Sequence, residues 1–210
     1  RRSLNDRVST LRQFLASYAR RLDGNPLILE HTLTAVREQL RHAVDLLKSP
    51  RVLPGPTGES NSLHLESRGC LLLVLDDDRC NGEYLMAVVS ALVAGNSVAG
   101  VATADLLPEW QGLVQAMVAS GVPGSLFSLQ PLDATSQLLH APGLAGAMVH
   151  ARSRHLRAVA QELATRDGPM VPLISCVAPA TLLQQTLVEK SVSIDTTAAG
   201  GNASLMTMAS

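Results

Sequence analysis

Three cysteines, six histidines and a run of three aspartates carry most of the chemical potential of this chain. A cysteine acts as a nucleophile only as its thiolate, which needs a neighbouring base or positive site. None of His31, His42, His64, His140, His150 and His155 stands in a sequence relation to Cys176 that implies a dyad, so the expectation for Cys176 is a buried thiol at a strand end. Cys70, Cys80 and Cys176 show no paired metal-ligand spacing, and their odd number suits free thiols in a reducing cytoplasm. Asp76, Asp77 and Asp78 offer carboxylates to a hard cation, but three consecutive residues rarely converge on one ion, and an exposed turn is expected. Arg152, Arg154, His155 and Arg157 gather at the start of an expected helix, where cations oppose the helix dipole. A phosphate, an acidic protein surface and a solvated face all remain open as their counterpart. Gly200-Gly201 lacks the following helix with a Lys-Ser/Thr pair that a phosphate cradle needs, and close packing against a partner suits it better.

These residues must be positioned by a regular scaffold. Leu4, Val8, Leu11 and Leu15 recur at helical spacing, and after Asp23-Gly24-Asn25-Pro26 a second helix is expected over residues 29–48. Pro50, Pro54, Gly55, Pro56 and Gly58 impose a non-helical connection, and residues 62–66 alternate as a half-exposed strand does. From Gly69 onward, short apolar runs alternate with helices. Strands are expected at 70–75, 97–102, 126–129, 145–150 and 171–177, and helices at 83–94, 109–120, 136–140 and 154–165. Strands buried on both faces and joined by short helices make an α/β fold with a Rossmann-like, doubly wound parallel sheet. A helix over 182–189 and a β-prone piece at 191–194 follow, and then a tail of small residues.

Hydrophobic residues make up 46 % and aromatics only 2 %, so the core must be built from Ala, Val and Leu. The formal net charge of −1 gives no field for drawing nucleic acid or anionic lipid. No uncharged apolar run approaches the ~20 residues that span a bilayer, and no apolar signal region opens the chain. The start at Arg1 suggests a piece of something longer.

Several stretches resemble the aldehyde dehydrogenase nucleotide domain. They are Leu53-Pro54-Gly55-Pro56-Thr57-Gly58-Glu59-Ser60-Asn61 with Arg68-Gly69, Ala91-Leu92-Val93-Ala94-Gly95-Asn96-Ser97-Val98, Gly121-Val122-Pro123, and Arg166-Asp167-Gly168-Pro169 leading into Pro172-Leu173-Ile174. The last is similar to the glutamate-semialdehyde dehydrogenase branch found in proline utilization A, and Ser191 to Met206 resembles the C-terminal signature of its longer members. The resemblance implies three parts: an N-terminal helical segment (1–50), an aldehyde-dehydrogenase-like nucleotide-fold domain (51–180), and a C-terminal helix and tail motif (181–210).

Matched to the family's motifs, the residues of a working dehydrogenase are missing. Asp76 to Asn81 occupies the Pro-Trp-Asn turn, with Asn81 a conceivable amide donor beside three carboxylates that would repel a pyrophosphate. Val101 replaces the ribose-binding lysine, Ala151-Arg152 the Gly-Ser pair facing phosphate, and Cys176 the glutamate base. The resemblance therefore implies a non-catalytic domain without bound cofactor, inside a proline-to-glutamate flavoenzyme that uses FAD and NAD elsewhere. Its expected partner is the active semialdehyde dehydrogenase domain of the same polypeptide or its oligomer. The interface residues expected are Thr196, Thr197, Gly200, Gly201 and Asn202, and the tail would help close the tunnel that carries the intermediate. The alternatives are a nucleotide-binding or residually active dehydrogenase-type enzyme, and an interaction domain using the same tail in trans.

Overall fold

The computed structural model describes residues 2–21, 30–176 and 179–195. Two long amphipathic helices come first, α1 (Leu4–Arg21) and α2 (Glu30–Leu47). Their apolar faces, Val8, Leu11, Phe14 and Leu15 on α1 and Leu33, Val36, Leu40 and Ala43 on α2, are buried in the same core as the helix α3 (Asn81–Ala94). That third helix is buried along almost its whole length, which its run of Leu, Met, Ala and Val permits. It ends where Gly95 turns left-handed at φ 94, and the Arg7 guanidinium reaches from α1 to donate to the Val93 carbonyl at 2.8 Å. A cation at that end offsets the negative pole of the helix.

The main sheet has five parallel strands in the order β5-β4-β3-β6-β7, formed by β3 (Cys70–Leu75), β4 (Ser97–Ala102), β5 (Phe127–Pro131), β6 (Leu144–Val149) and β7 (Leu173–Ser175). Connecting helices α4 (Leu107–Ala119), α5 (Thr135–Leu139) and α6 (Leu156–Ala164) complete the doubly wound pattern. The continuous apolar sequence of β3, buried from Leu71 through Leu75, follows from having both faces covered. Leu71, Leu73 and Leu75 face the α3 side, while Leu72 and Val74 enter a second core with Val149 and Val159. The chain runs outward from β3 on one side, then returns to place β6 on the other. This puts the topological switch point, where such folds gather ligands, at the carboxyl ends of β3 and β6.

A second, three-stranded antiparallel sheet pairs β1 (Arg51–Leu53), β2 (Glu59–Ser67) and β8 (Leu187–Asp195) in that order. It corrects the expected helix over 182–189. The helix α7 (Pro179–Gln185) stops at Gln185, whose carbonyl accepts from Arg68 Nε at 2.6 Å. From Leu187 the chain is extended and matches β2 residue for residue, from Leu187 opposite Ser67 to Asp195 opposite Glu59. Among the residues of β1, β2 and β8, Leu187 alone is buried. The sheet has no core of its own; Leu187 joins the main core and Leu65 packs against it.

Candidate functional site

The turn after β3 reaches the switch point as a short 3-10 helix (Asp78–Cys80). Asp77 caps it, accepting from the Arg79 backbone N–H at 3.1 Å and binding the same residue's guanidinium through both carboxylate oxygens at 2.8 and 2.7 Å. That Arg79 pairing holds the Asp77 carboxyl down at about 2. Asp76 turns inward, where its Oδ2 accepts from the Ser153 hydroxyl at 2.7 Å and its Oδ1 from the Tyr84 hydroxyl at 3.0 Å. The Ser153 oxygen also accepts from the His155 N–H at 3.0 Å. A backbone donor of the turn leading into α6 is thus already satisfied, and the chain's own carboxylate stands at the switch point. Outside it lies an open cavity of about 320 Å³ bordered by Asp78, Asp105, Arg152 and Arg154, so a ligand there would meet charges of both signs.

Asn81, the conceivable amide donor, is 3 % exposed. Its Oδ1 accepts from Trp110 Nε1 at 3.1 Å, and its Nδ2 lies 3.4 Å from both oxygens of Glu109. The amide fastens α3 to α4 and does not face the crevice as an oxyanion donor. Val101 is buried within β4, and Ala151 and Arg152 occupy an exposed turn ahead of α6, which begins at Leu156. Arg154 donates from Nε to His155 Nε2 at 3.2 Å, so part of the basic group turns on itself.

The structure brings together a pair that sequence reasoning missed. Cys80 Sγ lies 3.4 Å from His150 Nδ1, across 70 residues of sequence. The same Nδ1 accepts from the Arg152 N–H at 3.2 Å. Burial pushes the Cys80 thiol up to about 11, away from the thiolate that nucleophilic chemistry needs. Cys176 follows β7 beside the end of β6, 1 % exposed, and burial raises its thiol to about 12. Only the strand order places Cys80 and His150 at neighbouring strand ends, and no local spacing signals it.

Among the described residues, no group of three His, Cys, Asp or Glu side chains can hold a metal ion. No helix among them is long and apolar enough to cross a membrane. The interface residues expected from the sequence, Thr196, Thr197, Gly200, Gly201 and Asn202, lie outside the described residues.

The fold and crevice define a nucleotide domain of the aldehyde dehydrogenase type. The chain superposes on an NADP-dependent glyceraldehyde-3-phosphate dehydrogenase from Bacillus halodurans with a TM-score of 0.69 at 15 % identity, covering 83 % of this chain and 40 % of that one. A structure of proline utilization A with proline bound in remote sites gives a TM-score of 0.73 at 26 % identity, covering 83 % and 20 %. No family model matches. The chain is homologous to a segment of the bifunctional PutA proteins. It is 31 % identical to the Escherichia coli (strain K12) protein over 160 residues and 35 % identical to that of Rhizobium meliloti over 161, covering 75 % and 73 % of this chain. It spans only 11 % and 12 % of those two relatives' lengths.

Proposed function

We propose that this chain is a non-catalytic structural domain of a longer, cytoplasmic proline-to-glutamate enzyme, packed on that enzyme's active semialdehyde dehydrogenase domain. The observation that carries this reading is the Asp76–Ser153 pair at the switch point, where a dinucleotide's pyrophosphate would otherwise seek backbone donors. The Asn81 amide, engaged by Trp110 and Glu109, supports it from the catalytic side. FAD and NAD belong, in this reading, to the rest of the polypeptide. The body then falls into the helical segment 1–50, the nucleotide-fold domain 51–180 and the C-terminal part 181–210. Residues Thr196, Thr197, Gly200, Gly201 and Asn202 serve as a contact that helps close the passage for the intermediate.

Coupled proline-to-glutamate flux in the complete polypeptide tests the role. A cut after Asp195 spares all of β8 and removes only the tail. The expected result is a lag in product formation and reduced flux, with Gly201→Val reproducing much of both at an unchanged melting temperature. Unchanged flux without a lag overturns the assignment of the tail.

A further inference from the structure

One face of the antiparallel sheet borders a cavity of about 370 Å³, shared with Leu46 of α2 and Gln184 of α7. Small-molecule sites run from roughly 300 to 1,000 Å³. Strand pairing fixes what this face presents. Arg51 of β1 stands opposite Leu63 and Glu189 of β8 opposite Leu65, and residues paired in this way share a face. Leu63 and Leu65 are two residues apart on β2, so they too lie on one face. All four line the cavity. The floor is apolar and continuous with the body, since Leu46 and Leu65 pack against the main core. The flanks are charged and opposite in sign. Arg51 and Glu189 stand roughly 12 Å apart at the backbone, two strand spacings across and two residues along. Among the described residues neither makes an ion pair, whereas Asp45, which also lines the cavity, has Lys48 at 3.7 Å.

We propose that this cavity binds a small linear zwitterion with an aliphatic chain between its charges, the class of ω-amino acids. Arg51 takes the carboxylate, which a guanidinium can hold through two parallel N–H donors. Glu189 takes the ammonium, and the methylene chain lies over Leu63 and Leu65. An uncharged aliphatic ligand would desolvate both flanks without giving either a counterpart. An α-amino acid carries both charges at one end and leaves one flank unmet. Such a site is separate from the switch-point crevice and independent of the proposed structural role.

Methyl NMR of the leucine-labelled 210-residue chain tests this, with ε-aminocaproate as the probe. The Leu63 and Leu65 methyl signals should shift and saturate as it is added. Caproate and hexylamine each lack one charge, and norleucine is the isomer with both charges at one end. Each is expected to bind about ten-fold more weakly or worse, the loss of one charged hydrogen bond. Arg51→Gln and Glu189→Gln should each weaken ε-aminocaproate by a similar factor. The charge exchange R51E/E189R should restore binding, with the ligand reversed. These substitutions fall on exposed positions, and the analogue series on the unaltered chain needs no variant at all. Absence of a saturable shift with ε-aminocaproate overturns the site. Equal affinity for caproate does so too, since the cavity is then only an apolar groove. Saturable binding that appears only after a cut following Asp195 also overturns it, because the chain's own tail is then the occupant.

Discussion

Cys176 sits at the end of an edge strand with 1 % of its surface exposed, and the two buried thiols are raised by burial to about 11 for Cys80 and about 12 for Cys176. Above pH 9, where an ordinary thiol begins to ionise, the unfolded chain releases protons that the folded chain still holds. Stability therefore falls as pH rises from about 9 toward 12, and the two thiols leave it unchanged below that window. Tyr18, raised by burial from 10 to about 12, joins the same decline from pH 10. Urea melts between pH 8 and pH 11 should show the midpoint moving steadily down; a flat profile contradicts the burial of these groups. Cys176→Ser places a hydroxyl in an apolar site and should cost about 1–3 kcal/mol. It should leave turnover of the complete enzyme unchanged at temperatures where the variant is folded. Asn81→Ala leaves the Trp110 indole N–H buried without its acceptor, a loss of similar size, about 1–3 kcal/mol, readable by calorimetry.

At the scale of elements, Gly146 in β6 leaves no room for a side chain between its neighbours in the sheet. A Cβ there would lie 2.8 Å from Leu71 Cδ2 and 3.0 Å from Ile174 Cδ1. Gly146→Val should lower stability by about 1–3 kcal/mol through overpacking, even though valine favours strands. An unchanged urea midpoint would mean that both neighbours move aside freely. The parallel strands were legible in the sequence because burial on both faces leaves unbroken apolar runs such as Cys70–Leu75, bounded by Gly69 and Asp76. The strand β8 was not. Leu182, Leu183, Thr186 and Leu187 imitate a helical face, and what makes 187–195 a strand is its pairing with β2, at least 120 residues earlier. The crevice was half legible. The carboxylates after β3 are visible as a run, but their partners are not, since Ser153 is 77 residues away from Asp76 and His150 is 70 from Cys80.

Across the whole molecule, one core joins the N-terminal helices to the α3 side of the sheet, and at the switch point Asp76 and Ser153 are bound to each other. A crevice whose Asp76 carboxylate and Ser153 hydroxyl are already paired with each other supports the proposed structural role. The relatives' far greater length gives room for the domains the chain would pack on. Calorimetric titration of the 210-residue chain with NAD, carried to millimolar cofactor, tests this account most directly. The account predicts no saturable heat, because Asp76 and Ser153 are bound to each other and the neighbouring cavity sets carboxylates among its arginines. A dissociation constant in the micromolar range would contradict it, and would make the crevice a working nucleotide site.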